Sequence, residues 1–147
     1  MGNTDRKLAA HLARRAGFGA TPSELENYMR LGYDNTVKEF LSDKVSSAMP
    51  DDLIFRRHVD LHSMQGHTPA YWGYKMISTD HPLEEKIALF WHGIFATAEL
   101  KLNNVGSLTN QISMFRRCGL GKFDDLLLEL SKDPAMLVWL DNHDNHK

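Results

Sequence analysis

A few polar residues set on apolar helical faces carry whatever chemistry this sequence offers. His92 stands in Phe90-Trp91-His92-Gly93-Ile94-Phe95-Ala96-Thr97, a stretch apolar enough to be core. A packed imidazole there serves as a general acid or base or as a ligand, or is a structural group bonded to a backbone carbonyl. His11 and Arg15, one turn apart, fall within the arc set by Leu8 and Leu12. A partly buried guanidinium in that arc must find a carboxylate or several carbonyls, because an unpaired buried charge is costly. That partner is either an acidic residue of the chain or the carboxylate or phosphate of a ligand. Gln111 lies between Leu108, Ile112 and Phe115, where an amide satisfies backbone groups at a helix crossing. Convergence of His11, Arg15, His92 and Gln111 would make a polar pocket in an apolar domain.

Other chemistries are weaker on spacing alone. His58-Val59-Asp60-Leu61-His62 sets two imidazoles at i and i+4, but Val59 replaces the glutamate a zinc hydrolase helix carries there. With no third ligand to assign, no metal site and no cofactor are expected. Asp141-Asn142-His143-Asp144-Asn145-His146 imitates a calcium loop, yet His146 stands where the sharp turn needs glycine. Asp141 and Asn142 therefore read as a polar turn after a helix, or as binding residues of a site completed elsewhere. Cys118 is the one cysteine, which excludes an intrachain disulfide. No glycine-rich phosphate loop and no Gly-x-Ser-x-Gly elbow is present.

The elements that must position these residues are helical throughout. Leu8, Leu12 and Ala16 give a first stripe, which Gly17 and Gly19 end. Thr21-Pro22-Ser23-Glu24 is a capping box with proline at the first helical position, and Gly32 stops that helix. Asp34 can cap a third helix. Ser46 to Pro50 is a weak linker, followed by a helix from Asp51-Asp52 to about Gly66. Thr68-Pro69, His81-Pro82 and Asp133-Pro134 each predict a further start. Ser107 caps a helix ending at Cys118-Gly119, and Phe123, Leu126, Leu127 and Leu130 define the next. In the helix from Pro82, an apolar line of Leu83, Ile87, Phe90, Trp91 and Ile94 leaves His92 to one side. Ala88, Leu89 and Ala96 beside His92 suit close approach by a second element, so this helix is expected to be central and packed on both sides. The reading is an all-α, multi-helix domain with short connections over residues 1–147.

Composition narrows the function classes. With 147 residues and 42% hydrophobic content the chain can build one core but not two comfortable ones. A net charge of -2 gives no electrostatic reason to expect nucleic acid. No apolar run reaches the roughly 18 residues of a membrane span. Arg14-Arg15 is not an export signal, since Gly19-Ala20-Thr21-Pro22-Ser23-Glu24 follows where an apolar segment should begin.

Taken in order, several motifs resemble a family. They are His11-Leu12-Ala13-Arg14-Arg15-Ala16-Gly17-Phe18-Gly19-Ala20-Thr21-Pro22, the Phe90-to-Thr97 stretch, Arg116-Arg117, and Leu130-Ser131-Lys132-Asp133-Pro134-Ala135-Met136 leading to Leu140-Asp141-Asn142. This order is similar to the N-terminal part of the bacterial family catalogued as domain of unknown function 1800, with 46–79 matching least. The resemblance implies a large helical protein whose next motif would begin after Lys147, so the chain reads as an incomplete piece. Relatives often carry Trp-His-x-His-Phe, and Ile94 stands in place of the second histidine. Relatives are often exported and encoded beside a sulfatase-like partner, which implies an extracytoplasmic role. No reaction comes with the family. Two expectations follow: a helical binding or assembly module of the cell envelope, able to self-associate through an exposed apolar surface, or the N-terminal half of an enzyme completed by later residues. In the second, His92, His11 and Arg15 are the catalytic candidates, and Gln111, Asp141 and Asn142 the binding ones.

Overall fold

Helix ends set the path of the chain. The computed structural model describes residues 3–42 and 67–145; the linker near 46–50, the helix expected from Asp51, and His58 with His62 lie outside the described residues. Helix α1 spans Asn3–Ala16, α2 Pro22–Leu31 and α3 Tyr33–Phe40. The capping box that opens α2 is complete: the Glu24 amide donates to Thr21 Oγ1 at 3.3 Å, and the Thr21 amide donates to Glu24 Oε2 at 2.6 Å. Gly32, at φ +81°, ends α2 and starts α3 in one residue. Asp34 is therefore not the cap that the sequence suggested. It lies in the first turn, where its charge suits the helix dipole.

The second half holds α4 (His67–Ser78), α5 (Pro82–Ile94), α6 (Glu99–Leu102), α7 (Val105–Cys118), α8 (Phe123–Ser131) and α9 (Pro134–Trp139). A 3-10 turn at Asn142–Asp144 follows. Among the described residues there is no strand, so the chain is all-α. Asn104, not Ser107, caps α7, its side chain accepting the Ser107 amide at 3.0 Å. The cap moves upstream because Asn103 takes a left-handed conformation (φ +47°) and turns the chain out of α6.

The core runs between α5 and α7, which make the most extensive helix pair. Trp72, Ala88, Leu102, Leu108, Ile112, Phe115, Leu126, Leu130 and Ala135 are buried in it. α5 meets the end of α7 closely at Gly119, where an added Cβ would lie 2.7 Å from Ile87 and 2.9 Å from Trp91. The Trp91 indole donates to the Gly119 carbonyl at 2.9 Å across this contact. α1 to α3 pack on one another, and the end of α1 reaches the start of α5. Gly17 abuts Pro82 there, and the Lys86 ammonium lies 5.0 Å above the Phe18 ring. Among the described residues no helix is long and apolar enough to cross a membrane.

Two helical faces differ from the sequence reading. On α1 the buried line is Ala9, Ala13 and Ala16, with Leu8 exposed. That rotation carries His11 and Arg15 to roughly 130–165° from the buried centre, and both are exposed. Arg15 is therefore not a buried guanidinium. On α5 the buried residues are Glu85 and Ala88, while Phe90 and Ile94 are exposed. At ~100° per residue the Glu85–Ala88–His92 line is nearly opposite Phe90 and Ile94. α5 thus turns its polar line inward and its apolar edge outward, and it is not packed on both sides along its second half.

Candidate functional site

The inward line of α5 organises a polar cluster. Glu85 Oε1 accepts from Arg116 Nε at 2.7 Å, and Oε2 accepts from Arg116 Nη2 at 3.0 Å. Oε2 also accepts from the Trp72 indole at 2.8 Å. A bidentate guanidinium and one indole leave the buried carboxylate well satisfied. The Trp72 ring then stands edge-on to His92, their centroids 5.3 Å apart. One tryptophan of α4 thereby spans two turns of α5. Arg116 and Glu85 were not among the candidates from sequence. Arg116 follows Ile112 by one helical turn while Arg117 points the other way, a spacing that marks Arg116 as inward-facing. Nothing local marks its partner 31 residues away.

His92 is half-buried, and its Nδ1 is enclosed with no hydrogen-bond partner. The carbonyl expected for it is not there. Burial holds its pKa below the ordinary 6.5. A proton on Nδ1 would point at no acceptor, so the neutral ring is favoured. The folded pKa is below the unfolded one, so the neutral ring's contribution is complete above pH 6.5. It is lost as pH falls through 6.5 toward the folded value. His92→Phe keeps the contact with Trp72 and removes the titration. The variant is expected to lose less melting temperature than the parent between about pH 7 and pH 5. Equal losses in the two proteins would rule out this role for His92.

Gln111 heads a second cluster. It is fully buried, as are nearly all of Thr97 and Asp133. Thr97 Oγ1 donates to Gln111 Oε1 at 2.6 Å, and Gln111 Nε2 donates to Asp133 Oδ1 at 2.7 Å. The same Asp133 oxygen accepts the Met136 amide at 2.9 Å, capping α9. Gln111 therefore joins α7, α9 and the segment after α5 through side chains, not through the backbone groups expected of it.

The remaining candidates lie apart. Asp141, left-handed at φ +57°, accepts from Lys101 at 2.9 Å in an exposed pair. Asn142 accepts from Asn145 within the final turn. The end of α1 meets the start of α5, and His92 is ten residues beyond Pro82, or about 15 Å along the helix. A cavity of about 230 Å³ between α1, α2 and α3 is lined by Leu12, Tyr28, Met29 and Thr36, and by none of the six candidates. The polar pocket that would gather His11, Arg15, His92 and Gln111 is not formed. Among the described residues no three His, Cys, Asp or Glu side chains come together to hold a metal ion.

The two clusters can fix helix register. No curated protein and no solved structure matches the chain. A family model does, over residues 11–147, a span that takes in the α1 end, the whole of α5 and the Asp133 cap; the chain belongs to the family described as protein of unknown function, DUF1800.

Proposed function

We propose that this chain is a helical module of a binding or assembly protein and that it works through the apolar edge of α5. The outward orientation of Phe90 and Ile94 supports this reading. A helix that buries Glu85 and Ala88 while exposing Phe90 and Ile94 has a face shaped for something other than its own core. The polar clusters fit the same reading, since satisfied carboxylates and amides hold a scaffold rigid. By family association the module sits in the bacterial cell envelope, acts beside a sulfatase-like protein and belongs to a longer polypeptide.

A second reading is half of an enzyme site completed by later residues, and His92 Nδ1, enclosed and without a partner, favours it. Dye binding separates the two. The chain is expected to raise the fluorescence of an apolar-surface dye, and Ile94→Lys is expected to remove at least half of that rise. A signal unchanged by Ile94→Lys but abolished by His92→Phe would favour the enzyme reading and remove the first.

A further inference from the structure

We propose that the face built on α5 and α8 is closed by a second copy of this chain, an inference that rests on the docking role just given to α5. Trp91 is the hub of the face. Its ring lies 5.0 Å from Phe90, 5.8 Å from Phe95 and 5.6 Å from Phe123. Around it stand two pairs spaced by one turn, Phe90 with Ile94 on α5 and Phe123 with Leu127 on α8. Leu120 lies in the turn leading to α8. These five side chains are 54, 53, 51, 39 and 50% exposed respectively.

Area and charge both favour self-pairing. At roughly 150–250 Å² per large side chain, the five leave on the order of 450 Å² of apolar surface in water. That is as large as the largest patch on an ordinary monomer. It is also about half of one side of a standard interface, which leaves the other half for a polar rim. Two ridges flanking one indole can interleave with the same two ridges related by a two-fold axis. The rim supplies both signs within four residues, Lys122 before Phe123 and Asp124 with Asp125 after it, all exposed. A two-fold axis near Phe123 brings Lys122 of one copy toward the acids of the other. A chain with net charge -2 meets little long-range repulsion from its twin.

Sedimentation of the full chain across micromolar to sub-millimolar concentration tests this. The expected result is a monomer–dimer equilibrium that Ile94→Lys and Phe123→Asp each weaken at least ten-fold. Ile77→Asp, on exposed α4 surface away from this face, should leave it unchanged. Circular dichroism confirms that each variant is folded; Leu127→Lys replaces Phe123→Asp if loss of the Trp91 stack unfolds it. A dimer indifferent to Ile94→Lys and Leu127→Lys overturns the proposal. A monomer whose dye signal Ile94→Lys removes also overturns it, while leaving the docking role of α5 to another partner. A monomer that binds no dye removes both.

Discussion

Glu85→Ala is expected to destabilise the protein by about 3–5 kcal/mol, the range for breaking a buried ion pair from one side. The carboxylate is almost wholly enclosed, and three donors converge on it: two from Arg116 and the Trp72 indole. Truncation leaves a largely buried guanidinium without its counter-charge and an indole N–H without an acceptor. It also opens a void between α4, α5 and α7. Against a typical total of about 5–15 kcal/mol, such a loss approaches unfolding. Glu85→Gln keeps the volume and one acceptor oxygen, so it should cost less than the alanine. The double change Glu85→Leu with Arg116→Met should recover much of the loss, because the expensive species is the unpaired charge and not the missing pair. Urea unfolding of the four proteins at neutral pH gives the comparison. If Glu85→Ala falls within about 1 kcal/mol of the parent, the cluster does not hold these helices together.

This cluster also shows what the sequence could and could not disclose. Helix ends were legible because their chemistry is local: Thr21 and Glu24 are three residues apart, and Pro22, Pro82 and Pro134 each open the helix they were expected to open. Faces were less legible. In α1 the residues that face inward are alanines, which carry little hydrophobic signal, so Leu8 and Leu12 drew the stripe to the wrong side and took His11 and Arg15 with it. In α5 the periodicity of Leu83, Ile87, Phe90 and Ile94 is real, but part of that stripe faces out. Among the described residues, Arg116 and Trp72, 31 and 13 residues from Glu85, make the opposite line habitable. Burial of a charge is decided by partners distant in sequence, and spacing within one helix cannot report them. Gln111 stood out because an amide amid Leu108, Ile112 and Phe115 is a local anomaly. Of its partners, Thr97 stood out to no local rule, and Asp133 only as the residue before Pro134 at a helix start, not as the acceptor of this amide.

Gln111→Leu is expected to cost about 2–4 kcal/mol, and Gln111→Glu more at neutral pH. The amide orientation is forced by its neighbours. Asp133, as a carboxylate, can only accept, so Nε2 must face it, and Oε1 is left for the Thr97 hydroxyl. Leucine fills most of the space but strands a buried hydroxyl and removes a charge-assisted bond. Asp133 keeps its capping bond to Met136, which limits the loss. Glutamate keeps the shape and still accepts from Thr97, but it sets a second carboxylate where Nε2 stood, 2.7 Å from Asp133 Oδ1. Two buried carboxylates at that distance share one proton, so the pair's folded pKa rises above the unfolded value. Stability from the shared proton is then present at acid pH and lost as pH rises through the folded pKa. Gln111→Glu should therefore be the weaker variant at pH 7 and gain on Gln111→Leu as pH falls toward 4. Melting curves at the two pH values decide the matter: if Gln111→Glu shows no gain on the leucine variant in acid, Asp133 does not face residue 111 as a carboxylate. The contact joining α7 to the α9 cap would then have to be sought elsewhere.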